Sequence, residues 1–260
     1  MGTPLILGIE SATSRVGCAI GGPDGVSAAR ESAEPRRHAE SLVPQIAETL
    51  EESGVTMADI GVIAVDVGPG LYTGLRVGIT TAITLAHALN AAMVSVTSLE
   101  LVAHEVRRSC TNRRIDAVID ARRGELFHAA FGANGDPISE PAVLDPHDLV
   151  TMLANEAPET LLVGDGVEAH SETFAQGGFH TDGSSVYPSA ETIVELAVAA
   201  AAAGKTVGPD SIRPLYLRGP DAQPIGIVAP EAEPTGETMR TIRREAVARA
   251  ARERSEQERE

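Results

Sequence analysis

A chain of 260 residues with 43% hydrophobic side chains can form one large domain or two small ones, with ample material for a core. Its formal charge of −16 argues against a self-sufficient nucleic-acid binder, which carries a basic patch or stripe. Two cysteines, Cys18 and Cys110, make neither a disulfide framework nor a metal knuckle. The first apolar run, Pro4 to Ile9, is too short for an export signal and has no basic leader. The stretch from Ile193 to Ala203 falls far below the ~20 residues that span a bilayer. A soluble, cytoplasmic protein without membrane contact is expected.

In chain order, residues 5–22 give an apolar run, Glu10, a short polar turn and a second apolar run ending in glycines. With the turn signal Pro23-Asp24-Gly25 behind it, this segment reads as a hairpin with Glu10 at the tip end of its first strand. The spacing predicts a helix from His38 to Ser53, with Leu42, Val43, Ile46 and Leu50 on one face and Gly54 as the stop. A strand then ends at Val67, breaks into Gly68-Pro69-Gly70, and restarts as a helix from about Thr73 to Asn90. The first N–H groups of such a helix have no internal partners and its dipole is positive there, so the turn is either an anion site or a plain βα corner. This helix holds Gly74, Gly78, Ala82 and Ala86 at four-residue spacing, a stripe that admits another helix or the protein's own sheet at close range. A strand from Ala92 to Val96 follows, giving an α/β pattern with parallel pairing.

Residues 115–132 repeat the opening pattern, with Asp120 in the place of Glu10 and the turn signal Asn134-Gly135-Asp136-Pro137 behind it. A strand from Leu161 to Val163, an alanine-rich helix from Ala190 to Ala203 and a short apolar segment from Pro214 to Leu217 complete the second half. The expected division is 1–105 and 106–220, the last segments of the second part returning to the first, followed by a charged, disordered tail at 221–260. From Glu237 onward that tail holds seven Arg and six Glu, which leaves the body with 14 basic against 31 acidic residues, a net −17.

Duplicated hairpins with an acid at each turn suggest an α/β fold of two RNase H-like halves, the actin/Hsp70/sugar-kinase architecture, whose turns hold nucleotide phosphates. Here Glu10-Ser11-Ala12-Thr13-Ser14 offers a carboxylate for a metal-bound water and hydroxyls for a phosphate. The second turn, Asp120-Ala121-Arg122-Arg123-Gly124, has two arginines and one glycine, where a backbone cradle for a triphosphate needs more glycine. Glu10, Ser11, Thr13, Gly68, Gly70 and Arg122 are therefore the candidate anion- or nucleotide-facing residues. Gly204-Lys205-Thr206 imitates the end of a P-loop, but Ala199 stands where the first glycine belongs. No H-E-x-x-H, zinc-spaced Cys/His cluster or G-x-S-x-G elbow is present, so neither catalytic residues nor a metal set can be named.

These motifs together resemble the TsaB (YeaZ) family. The matching stretches are ILGIESATS at the N-terminus, HAESLVPQI at 38–46, VGPGLYTGLRVG at 67–78, VSVTSLELVA at 94–103, DARRGELF at 120–127, VGDG at 163–166 and PLYLR at 214–218. The resemblance covers about Leu5 to Arg218. It implies a non-catalytic dimerisation subunit of the bacterial complex that places threonylcarbamoyl on the adenosine beside the tRNA anticodon. The implied partners are the catalytic subunit TsaD and the ATPase TsaE, with a homodimer possible in isolation and tRNA met only indirectly. It further implies that this chain binds no cofactor alone, ATP and a metal being used by the partner subunits. The family pairs through its first two helices, here 38–53 and 73–90, which would put Leu42, Ile46, Leu50, Gly74, Gly78, Ala82 and Ala86 at the partner interface. TsaD shares the fold but carries H-x-x-x-H after the strand equivalent to Met93–Val96; the corresponding residues here are Ser98 and Val102, and valine cannot ligate a metal. The alternative is an ATP-dependent phosphotransferase of the actin-like superfamily, with Glu10 placing Mg²⁺.

Overall fold

The computed structural model describes residues 4–32, 38–109, 112–179 and 186–218; the charged segment 221–260, expected to be disordered, lies outside them. Strands β1 (Leu5–Glu10), β2 (Val16–Gly22) and β3 (Gly25–Ser32) form an antiparallel meander. Helix α1 (His38–Ser53) ends at Gly54, whose φ of +70° suits a residue without Cβ. Strand β4 (Ile60–Asp66), helix α2 (Tyr72–Leu89) and strand β5 (Ala92–Val96) add two parallel neighbours, giving the sheet order β3-β2-β1-β4-β5. Asn90, at φ 53°, closes α2.

The central strands read as continuous apolar runs because both faces of this sheet are covered. Leu7, Ile9, Ile63 and Val65 meet Leu42 and Ile46 of α1 and Leu75 and Ile79 of α2. Ile6, Val62, Ala64 and Val94 face the other way.

Helix α3 (Ser98–Arg107) begins with a reciprocal cap: Glu100 N donates to Thr97 Oγ1 at 3.1 Å, and Thr97 N to Glu100 Oε2 at 2.8 Å. The expected boundary at 105/106 falls inside this helix, which serves both cores. Its Leu101 packs with the first sheet, while Leu99, Val102 and Ala103 pack with the second. That second sheet contains β6 (Ile115–Asp120), β7 (Leu126–Phe131), β8 (Ala142–Leu144) and, after helix α4 (Pro146–Glu156), strand β9 (Leu161–Val163). Its order, β8-β7-β6-β9, and its strand directions repeat those of β3-β2-β1-β4. Helix α4 and two short helices, α5 (Asp165–Ala169) and α6 (Ser171–Gln176), cover its far side, where Val118 and Leu126 meet Leu149, Leu153 and Phe174. The protein is thus an α/β fold of two RNase H-like halves.

Helix α7 (Ala190–Ala202) returns to the first sheet, setting Ile193, Val194 and Ala197 against Ile6, Val62 and Val94. Gly8 makes the approach possible: a Cβ there would lie 2.8 Å from the carbonyl oxygen of Ala190. The chain then crosses both halves, Leu215 N donating to Val67 O at 2.7 Å and Arg218 Nη1 to Ala121 O at 3.1 Å.

One charged cluster is sealed in the second half. Asp116, on β6, accepts bonds from Arg114 at 2.7 and 3.0 Å and from Thr160 at 2.5 Å, and lies 2.8 Å from His128 Nε2. Burial alone would raise its pKa; the bonds with His128, Arg114 and Thr160 outweigh it and hold the carboxyl at about 2. A depressed carboxyl stabilises the fold above its ordinary value, and that stability drains away as pH falls toward about 2. In Asp116→Asn the acid limb of a pH–stability curve is expected to flatten, with a loss near neutrality of about 3–5 kcal/mol. Urea unfolding of Ile193→Ala should show a loss of about 2–5 kcal/mol, because the side chain is in the core of the first half.

Candidate functional site

The Gly68–Gly70 turn is assembled by three neighbours. Val67 N donates to Val96 O at 2.9 Å, fixing the end of β4. Asp66 Oδ1 accepts from Gly68 N at 2.7 Å and from Ser98 Oγ at 2.8 Å. Gly70 lies against the β1–β2 turn, where a Cβ would stand 2.1 Å from Ala12 O, and Leu71 N donates to that same oxygen at 2.7 Å. Helix α2 therefore starts at Tyr72 with no side-chain cap on its N-terminus.

The sequence-expected site residues divide sharply in this geometry. Glu10, Ser11 and Thr13 are buried, not open to a phosphate. Glu10 Oε1 accepts from Ala12 N at 3.0 Å, Thr13 N at 3.3 Å and Thr13 Oγ1 at 3.4 Å, while Ser11 Oγ donates to Gly74 O at 2.8 Å. These bonds close the turn itself. Gly68 is buried too, at φ +100°, beside Leu75 and Leu215 O, and Gly70 is packed on Ala12. Arg122 alone of the set points outward, at φ 62°, and pairs with Asp120 at 2.9 Å. Arg122, Arg123 and Gly124 are all left-handed, and Ala121 N closes the turn on Glu125 O at 3.0 Å.

The residues expected at a partner interface lie inward in this chain. Gly74, Gly78, Ala82 and Ala86 are buried under α2 on the protein's own sheet, and Leu42 and Ile46 are buried under α1. Leu50 is half-buried against the same core. The stripe is small because the β1–β2 turn lies under it: a Cβ on Gly78 would fall 2.1 Å from Ser11 Oγ. Val43, expected on the Leu42 face, is one residue further round the helix and 60% exposed.

What these two helices leave in solvent is different. Val43, Pro44 and Ala47 are exposed on α1, and Tyr72, Thr73, Arg76 and Thr80 on α2. Tyr72 and Tyr216 stack with centroids 5.2 Å apart and are 49% and 42% exposed. The Arg76 guanidinium sits 4.3 Å over the Tyr72 ring and its Nε donates to Tyr216 Oη at 3.3 Å. Sequence reasoning missed this cluster because Arg76 and Tyr216 are 140 positions apart. It also missed Asp66; the only signal was an acid closing an apolar strand. Among the described residues no group of three or more His, Cys, Asp or Glu is placed to hold a metal. Ser98 is committed to Asp66, and Val102 is core.

Residues 31–223 match the family model described as TsaD, tRNA N6-adenosine threonylcarbamoyltransferase. A tRNA N6-adenosine threonylcarbamoyltransferase of Sphingopyxis alaskensis is 43% identical, but over only 25% of this chain and 19% of its own. The tRNA threonylcarbamoyladenosine biosynthesis protein TsaB of Escherichia coli is 32% identical over 82% of this chain and 94% of its own. The chain belongs to the TsaB family. A solved structure, YeaZ from Pseudomonas aeruginosa, superposes with a TM-score of 0.70 at 27% identity, covering 84% of this chain and all of that one. The TsaB-type chain therefore belongs to the system that makes threonylcarbamoyladenosine in tRNA.

Gly78→Ala distinguishes an inward from an outward stripe. Facing solvent or a partner, the change would raise helix stability by about 1 kcal/mol. Against Ser11 it should cost about 1–3 kcal/mol in urea unfolding, and the Gly78→Ala/Ser11→Ala double mutant should lose less than the sum of the two single changes.

Proposed function

We propose that this chain is a non-catalytic subunit that binds and activates a TsaD-type threonylcarbamoyltransferase. The observation that carries the reading is the pair Ser98 and Val102. Both are buried, one bonded to a carboxylate and the other in the core, where the resemblance gives the catalytic relatives metal-binding histidines. Glu10 Oε1 and the Ser11 hydroxyl are likewise bonded to the protein's own backbone, and Glu10 is buried, which weighs against the phosphotransferase alternative.

Docking uses the outward faces of α1 and α2. Val43 supplies an exposed apolar anchor, and Tyr72, Arg76 and Tyr216 form a stacked aromatic–arginine cluster of the kind that dominates interface energetics. The buried stripe contributes indirectly, by seating α2 close to the sheet. A TsaE-type ATPase joins the assembled pair, ATP and metal being used by the partners, and without a partner the same apolar face makes homodimers. The acidic body leaves tRNA contact to the other subunits.

Reconstituted tRNA modification should require this chain, and the chain alone should show no transfer. Val43→Glu and Arg76→Glu should each weaken co-purification with the TsaD-type subunit by about tenfold or more, with an unchanged melting temperature. Unchanged association in both variants would refute the docking face.

A further inference from the structure

Glu10 and Asp66 end the adjacent parallel strands β1 and β4, in the register that pairs Ile9 with Val65. Both side chains are buried, and each leaves one oxygen, Glu10 Oε2 and Asp66 Oδ2, with no donor of its own. The other oxygen of each is saturated: Glu10 Oε1 by the β1–β2 turn, Asp66 Oδ1 by Gly68 N and Ser98 Oγ. Two buried carboxylates side by side at the ends of neighbouring strands repel one another when both are ionised, whereas one carboxyl and one carboxylate supply a donor and an acceptor to the two orphaned oxygens.

The groups acting on the pair are the N–H groups of Ala12, Thr13 and Gly68, the Thr13 and Ser98 hydroxyls, and Glu100 on α3. None of these is a cation, and Glu100 adds to the repulsion. No third His, Cys, Asp or Glu joins the pair among the described residues, so a metal would have two side chains only.

We propose that Glu10 and Asp66 share one proton, carried by Glu10, which couples the β1–β2 turn to the Gly68–Gly70 turn and so holds the start of α2 in place. Loss of that proton sets two negative charges against each other between the two turns. The strain falls on Ala12 O–Leu71 N and Ser11 Oγ–Gly74 O, the bonds that seat α2. Burial, then the charge of Asp66, holds the Glu10 carboxyl well above the usual carboxylate range. Burial pushes Asp66 up to about 6. Both shifts are upward, so the folded state keeps protons that the unfolded chain releases near pH ~4. The stabilisation from both shifts is complete below that pH; Asp66 loses its proton as pH rises through about 6, which leaves the one-proton pair, and the proton on Glu10 is lost only as pH rises further. Given the docking face argued above, on which this consequence rests, partner affinity falls as the Glu10 proton is lost, on the alkaline side of the Asp66 step.

Infrared difference spectra of the full chain should show a protonated-carboxyl C=O band at neutral pH that disappears in Glu10→Gln. The amide of that variant donates to Asp66 as the protonated acid does, so its melting temperature should lose roughly half or more of the wild-type decline between about pH 5 and about pH 9. Asp66→Asn, which donates in the reverse direction, should flatten the profile equally and serves if the first variant does not fold. Absence of the band from the wild type, or parallel pH profiles in both variants, overturns the shared proton. Association with a TsaD-type subunit should weaken across this range in the wild type and not in Glu10→Gln. Association at no pH would overturn the docking face, while the infrared band would still decide the proton.

Discussion

The bond from Leu71 N to Ala12 O, with its companion from Ser11 Oγ to Gly74 O, is the constraint around which the first half is organised. It welds a strand-to-strand turn to the first turn of a helix, two elements about 60 residues apart in sequence. Such a weld needs backbone at van der Waals distance, and backbone comes that close only where side chains are missing. Gly70 and Gly78 answer that requirement, and Ala82 and Ala86 continue it along the helix. With α2 held this low on the sheet, its opposite side, with Tyr72 and Arg76, is the side left in solvent.

The duplication clarifies what each half is used for. In the first half the turn after β1 is turned inward, one oxygen of its carboxylate bonded by Ala12 and Thr13. In the second, Asp120 occupies the equivalent place but stays half-buried and ties down Arg122. The first turn is closed by its own hydroxyls, and the second carries two arginines in left-handed conformation.

Much of the fold was legible in the residues. The α1 limits, both hairpins and the strand–turn–helix at Gly68 follow from local rules of periodicity and glycine placement, because the forces involved act within a few residues. Helix α3 was also legible in principle, since Thr97 and Glu100 form a capping box. The direction in which a helix face points was not. Small residues at four-residue spacing announce close approach without saying to what, and only the position of Ser11 under Gly78 decides between a partner and the protein's own turn. Leu42 and Val43 show the same limit: adjacent apolar residues about 100° apart on a helix, one in the core and one in solvent. The Arg76–Tyr216 bond and the Glu10–Asp66 pair depend on tertiary register, which no local pattern encodes.

The return of α7 to the first sheet has a consequence for how the chain acquires its structure. Ile6, Val62 and Val94 are made early in synthesis, yet the helix that covers them does not exist until about 200 residues have been assembled. A nascent first half therefore exposes an apolar sheet face to the cell throughout translation of the second. Long-range closure of this kind is slow and leaves the intermediate prone to aggregation. The two halves, alike in topology, are consequently not alike in biogenesis: the second sheet is covered by α3, α4, α5 and α6, while the first waits for α7.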